Sequence, residues 1–221
     1  DMRGYAKQQS RAVSSSDGWI DIAALREGAL VTADIYNAWL RAGYVYEAHF
    51  ATESGTATIE ANATIDLTEP FYRYTVPTSK VVVPIKLKVS PTVVWVTTDF
   101  VILYTSDTNT YTTGGVAPDI NNMASVSSSD SALGSTALTS HYDGDTVLTE
   151  AALTNPRILD TVDYRTGGLF VPYEYNILKG DTPTFLHGLS SFCAAAQAAG
   201  ALEVHYQSVW AELPKEAGVN S

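Results

Sequence analysis

The sequence predicts an all-β protein, a two-sheet sandwich of Greek-key or jelly-roll type. Three observations carry that prediction. Tyrosine, valine and threonine are abundant, with 13 tyrosines in 221 residues, and β-branched and aromatic side chains suit a pleated, half-buried surface. Apolar and polar residues alternate over many short runs, the period-2 pattern of strands with one covered face. No βαβ rhythm and no repeat of solenoid or propeller length interrupts them. The runs number about eight to ten, enough for a jelly roll.

Taken in order, residues 1–24 read as an N-terminal arm. Arg3, Lys7 and Arg11 recur there ahead of a serine run, as in an arm that drapes over its own fold or meets an anionic surface or a neighbouring subunit. The one helix is expected over 32–43, "TADIYNAWLRAG". Thr32 suits the cap, Asp34 the first turn, Arg41 the last turn and Gly43 the C′ position. Ile35, Trp39 and Ala42 would share its apolar face, with Ala38 beside them.

Strands follow. "YVYEAHF" is the first. "TATIEANATID" alternates with Ala57, Ile59, Ala61, Ala63 and Ile65 inward. "FYRYTVPTSKVVVPIKLKV" reads as a hairpin with Val81, Val83, Ile85, Leu87 and Val89 on its inner face. Pro84 falls on the outer set with Lys86 and Lys88. Proline removes a ladder hydrogen bond, so a bulge or a sheet edge is expected there, one that limits indiscriminate pairing between copies. Thr92–Tyr104 is apolar on both faces, so a second sheet should cover one and a helix, loop or neighbouring chain the other. Asp99 within that run points to a bulge or an edge.

From about 105 to 150 the composition turns to Ser, Thr, Gly, Asn and Asp. The stretch is far longer than an ordinary connection of about 4–6 residues and reads as a surface insertion. Short strands are expected near "NMASVSS" and "TALTSHY". "RILDTVDYR" and "GLFVPYEYNIL", the latter holding Pro172, resume the sandwich. In "SSFCAAAQAAGALEVHYQSVWAELP" propensity and pattern disagree, because alanine favours helix. Strands over 190–195 and 201–213 around a "QAAG" turn are the reading, with a helix over 190–199 as its alternative. The sandwich domain thus spans 25–214, and 215–221 form a C-terminal tail.

Chemistry is sparse. With 13 basic and 24 acidic residues the formal net charge is −11, which argues against coating nucleic acid with the whole surface. Cys193 stands alone, so no internal disulfide is available, and a buried small residue is expected. The four histidines, His49, His141, His187 and His205, follow no metal-ligand spacing; His49 and His205 fall on solvent faces. Asp143 and Asp145 in "HYDGD" are the sole candidate metal ligands, and a D-G turn explains them better. "TTGGVAP" lacks the lysine of a phosphate loop, and no G-x-S-x-G elbow occurs. No catalytic residue, no cofactor site and no small-molecule substrate is expected.

The order of elements resembles a known group. An arm precedes "GALVTADIYNAWLRAGYVYEAHF"; the hairpin "YTVPTSKVVVPIKLKV" follows, and "VHYQSVWAELP" closes the chain. Over residues 25–214 this is similar to the single jelly-roll major capsid proteins of tailless icosahedral viruses, especially membrane-containing viruses of bacteria and archaea. The resemblance implies a non-enzymatic shell subunit located in the virion and assembled in the host cytoplasm. It implies copies of itself as partners, a second related capsid protein, and contact of the arm with an internal membrane or genome. Interface candidates on this reading are Arg3, Lys7, Arg11, Trp39, Trp95, Trp210 and Pro84, together with exposed tyrosines, since Tyr and Trp are enriched at interfaces. The alternative is a carbohydrate-binding β-sandwich or viral spike module using a tyrosine platform and the 105–150 insertion. A carboxylate-pair hydrolase has no motif in its favour.

Overall fold

A computed structural model describes residues 35–50, 57–59, 64–91, 100–108, 111–124, 131–133, 140–142, 149–163, 172–198 and 202–215. They fold as an all-β sandwich with one short α-helix. The helix α1 (Ile35–Arg41) leads into β1 (Val45–Phe50), β2 (Ala57–Ile59), β3 (Tyr72–Thr75), β4 (Lys80–Pro91) and β5 (Phe100–Ser106). Four short strands follow, β6 (Tyr111–Thr113), β7 (Ile120–Asn122), β8 (Ser140–Tyr142) and β9 (Thr149–Glu150). β10 (Arg157–Asp163), β11 (Tyr173–Asn176), β12 (Leu186–His187), β13 (Ser191–Gln197) and β14 (Leu202–Pro214) complete the chain.

The pairing is nested. β1 pairs β14, β3 pairs β13, β4 pairs β11 and β5 pairs β10, all antiparallel. The chain is therefore one long hairpin rolled upon itself. Rolling brings β14 beside β4 and β13 beside β5. The result is two sheets, β11-β4-β14-β1-β7 and β10-β5-β13-β3-β8, the arrangement of a jelly roll. The connection from β5 to β10 holds β6 to β9.

Inward side chains of both sheets make one aromatic-rich core. It holds Phe71, Tyr72, Tyr74, Leu87, Val89, Leu103, Tyr173, Tyr175, Phe192, Tyr206 and Trp210. Tyr74 stacks on Phe192 with ring centroids 5.0 Å apart and lies 6.0 Å from Trp210. Tyr72 meets Tyr206 edge-on at 5.1 Å. Offset and edge contacts of this kind add about 0.5–1.5 kcal/mol each beyond the area they bury.

Several sequence expectations change here. The five residues expected on one face of β4 divide between two. Leu87 and Val89 enter the inter-sheet core, while Val83 and Ile85 lie on the opposite face, and Val82, which alternation placed outward, joins the core instead. The cause is a bulge: Val209 pairs Lys86 and Trp210 pairs Pro84, so Ile85 has no counterpart and the alternation reverses. The bulge expected at Pro84 is present beside it, but the expected outward, edge-like placement of the proline is not. Pro84 is buried in a central strand. On its other side β12 pairs Val81 and Val82, and β11 begins pairing only at Lys86. The missing N–H thus falls where the neighbouring strand is itself interrupted by a 3₁₀ turn over Ile177–Lys179.

Helix α1 ends as expected. Gly43 has φ 74°, its N–H donates to Leu40 O, and Tyr44 N–H donates to Trp39 O, a Schellman closure. Its buried face differs from the expected one. Tyr36, Trp39 and Leu40 cover Val45, Val83, Ile85, Val209 and Ala211, and Ile35 points to solvent. Of the strand expected over 56–66, Ala57–Ile59 is a strand, 56 and 60–63 lie outside the described residues, and the chain turns by residue 66, where Asp66 Oδ1 accepts from Thr68 N at 2.8 Å and Thr68 Oγ1 at 2.7 Å. The alanine-rich 191–197 segment is a strand. As β13 it sits between β5 and β3, so tertiary pairing overrides alanine's helical preference.

Candidate functional site: the covered and uncovered sides of the sandwich

The connection between β5 and β10 decides which surfaces the sandwich leaves open. β7 adds to the free edge of β1, and β8 adds to the free edge of β3. Between these edges Leu133 joins the inter-sheet core. β6 and β9 pair as a small ribbon against the outer face of the second sheet. One side of the sandwich is therefore closed at both edges by very short strands, a device that blunts edge-to-edge pairing.

Two buried carboxylates hold this closure. Glu212 near the end of β14 accepts from Ala132 N at 2.8 Å, from Trp210 Nε1 at 3.0 Å and from the Ser131 hydroxyl. Trp210 and Glu212 are two residues apart on one strand, so they share a face. That face presents the carboxylate to the 131–133 segment. Ser131 Oγ also accepts from Leu133 N at 3.1 Å, which fixes the turn that delivers Leu133.

Glu150 on β9 is the second. Its Oε1 accepts from Arg73 Nε at 2.6 Å, and both side chains are fully buried. Arg73 Nη2 donates to Thr75 Oγ1 at 2.7 Å, and the guanidinium carbon lies 5.1 Å from the Tyr111 ring centre on β6. Cys193 Sγ stands 3.4 Å from Glu150 Oε1. Register explains the meeting: Cys193 is directly opposite Arg73 on one side and Tyr104 on the other, all on the outer face of the second sheet. Burial raises the Cys193 and Tyr104 pKa values, and the Glu150 charge adds to both. The thiol and the phenol are thus held neutral, which disfavours thiolate chemistry. Tyr104 OH donates to Leu67 O at 2.5 Å, and Ile65, Leu67 and Leu153 cover Ile102, Tyr104 and Ala195. Covering by a loop of the same chain answers the two-faced apolar pattern of this strand.

The other side differs. Among the described residues no strand adds to the outer edge of β10 or β11. Ile158 on β10 is 58% exposed, and Leu178, Phe185 and Leu189 along the β11–β13 connection are each more than half exposed. The outer face of the first sheet is polar beyond α1. There a hydrogen-bonded row runs His49–Glu47 (3.0 Å), Gln207–Glu47 (3.3 Å) and Lys86–Gln207 (2.7 Å).

Of the residues the sequence singled out, Trp39 is half-buried on the inner face of α1, Pro84 is buried, and Trp210 packs in the inter-sheet core rather than at a surface. Arg3, Lys7, Arg11, Trp95, Asp143 and Asp145 lie outside the described residues. Among the described tyrosine side chains none is exposed, so the expected tyrosine surface is absent from them. Burial of these rings supplies the inter-sheet core instead. His49 and His205 are exposed as expected, and Cys193 is buried. Sequence reading missed Arg73, Glu150 and Glu212. A signal existed for Arg73: it interrupts "FYRYTV", where alternation assigns a charge to a sheet face that the chain must cover. Nothing in the sequence pairs it with Glu150. Compared with known proteins, the chain matches no protein-family model, no curated protein and no solved structure.

Proposed function

We propose that this chain is a structural subunit of a virion shell, a jelly-roll capsid protein that assembles with copies of itself. The observation that carries the reading is the asymmetry of the sandwich. One side is closed by the chain's own insertion, and among the described residues the opposite side presents edges to which no strand adds, bordered by Ile158, Leu178, Phe185 and Leu189. A subunit with many neighbours needs edges that cannot pair at random and a surface that pairs by design. The rolled eight-strand topology supports the same reading, since jelly rolls serve viral capsids, lectins and cupins. The buried ionisable groups also fit it. Arg73, Glu150 and Glu212 are engaged within the fold, Arg73 with Glu150 and Glu212 with the 131–133 segment. Residues 1–24 are the proposed contact with a membrane, a genome or a second shell protein.

The carbohydrate-binding alternative drew on exposed tyrosines, and the described ones are in the core or half-buried. Shell assembly is tested by sizing purified protein by sedimentation and imaging it by electron microscopy. Capsomers or closed particles are expected. A monodisperse monomer across ionic strengths and protein concentrations contradicts the proposal.

A further inference from the structure

We infer that Arg73, Thr75 and Cys193 form a carboxylate-receptor seat on the outer face of the second sheet, on which the insertion docks through Glu150 as an intramolecular ligand. The three receptor residues come from β3 and β13, strands of the rolled sandwich itself. The ligand comes from β9, at the far end of the insertion. Thr75, two residues along the same strand, accepts from Arg73 Nη2 at 2.7 Å. That bond aims the guanidinium from within the sandwich. Its Nε–H meets Glu150 Oε1 at 2.6 Å, and Cys193 Sγ approaches the same oxygen at 3.4 Å. Tyr111 lies against the guanidinium as a lid from the insertion. Glu150 N also donates to Thr68 O at 2.8 Å, which holds the incoming strand at the rim of the seat.

The chemistry selects a carboxylate. A guanidinium in a fully buried site presents directional donors that match a planar carboxylate, and a neutral thiol beside it adds no competing charge. Removing the carboxylate takes from a buried cation the anion that its Nε–H meets, which is costly in a low-dielectric site. The seat should therefore draw in an external carboxylate of the right size. Truncation of Glu150 to alanine removes Cγ and the carboxyl group, which together have the heavy atoms of acetate. The seat is a property of the sandwich and does not depend on what the protein assembles into.

Acetate rescue of Glu150→Ala is the test. The variant should melt below the wild type, and sodium acetate should restore at least half of the lost melting temperature. Sodium chloride at equal ionic strength should not. Acetate should leave the wild type and Arg73→Met/Glu150→Ala unmoved. Equal stabilisation by chloride, or rescue that persists without Arg73, overturns the assignment, as does no rescue. Should the alanine variant not accumulate in folded form, Glu150→Gln reads the same latch. Amide exchange over 149–154 should then rise at least tenfold while β4 and β14 are unchanged. Unchanged exchange over 149–154 in that variant overturns the docking.

Discussion

On the β1–β3 side, each sheet edge receives a three-residue strand from the insertion, and Leu133 enters the core between them. On the β10–β11 side, among the described residues, the outermost strands carry no addition, and apolar side chains stand in solvent. The two sides are stabilised by different physics. The covered side uses buried carboxylates with directed donors, where each interaction has a high local value and a high cost if one partner is lost. The uncovered side uses solvated side chains and surface ion pairs, each worth little to the fold. Substitutions should therefore read as stability on one side and as assembly on the other.

The largest effect is expected at Arg73. Arg73→Met alone breaks the buried pair with Glu150 and should cost about 3–5 kcal/mol, as breaking such a pair does. Arg73→Met with Glu150→Leu removes both charges and should recover most of that loss, because an apolar pair of similar volume avoids desolvation. Urea unfolding of the two variants decides the matter; equal losses in single and double variants would mean that the ion pair does not hold the insertion. Leu133→Ala comes next. It removes a fully buried side chain between the sheets and should cost about 2–5 kcal/mol. A loss below the cost of a surface substitution would show that the insertion is not packed into the core.

On the uncovered side the effects shrink. Glu174 accepts from Lys179 Nζ at 2.6 Å and Asn176 Nδ2 at 3.0 Å, and these bonds, the lysine's first, hold its pKa below the ordinary value. A depressed folded-state pKa contributes stability that is present above the unfolded value and lost as pH falls through the folded one. Lys179 is mostly exposed, so the contribution is well under about 1 kcal/mol. Lys179→Met should flatten the acid limb of a stability–pH curve slightly and leave pH 7 stability nearly unchanged. Ile158→Lys and Phe185→Ser should change stability by no more than about 0.5 kcal/mol, as surface substitutions do.

Much of the fold was legible from alternation alone. β14 presents Val204, Tyr206 and Trp210 to the core and Glu203 and His205 to solvent, as period 2 dictates. The rolled pairing was legible only as a class, because register between β1 and β14 depends on contacts more than 150 residues apart in sequence. Pro84 announced the bulge but not the reversal of faces, since the direction of a bulge depends on the partner strand, here Val209 and Trp210. The insertion was recognisable from composition and length. Its role in closing two edges was not, because strands of three residues carry too few alternations to assign a face. Glu150 and Glu212 match no motif and drew no expectation. Their burial follows from tertiary partners, Arg73 on one strand and Ser131 on the insertion, that no local pattern connects.

Hydrogen exchange by mass spectrometry, comparing unassembled and assembled protein, tests the central claim most directly. New protection is expected over 157–163 and 172–189, with 120–122 and 140–142 unchanged, and Ile158→Lys with Phe185→Ser should abolish it at an unchanged melting temperature. Protection appearing instead at 120–122 and 140–142, or no assembled state to compare, contradicts the account.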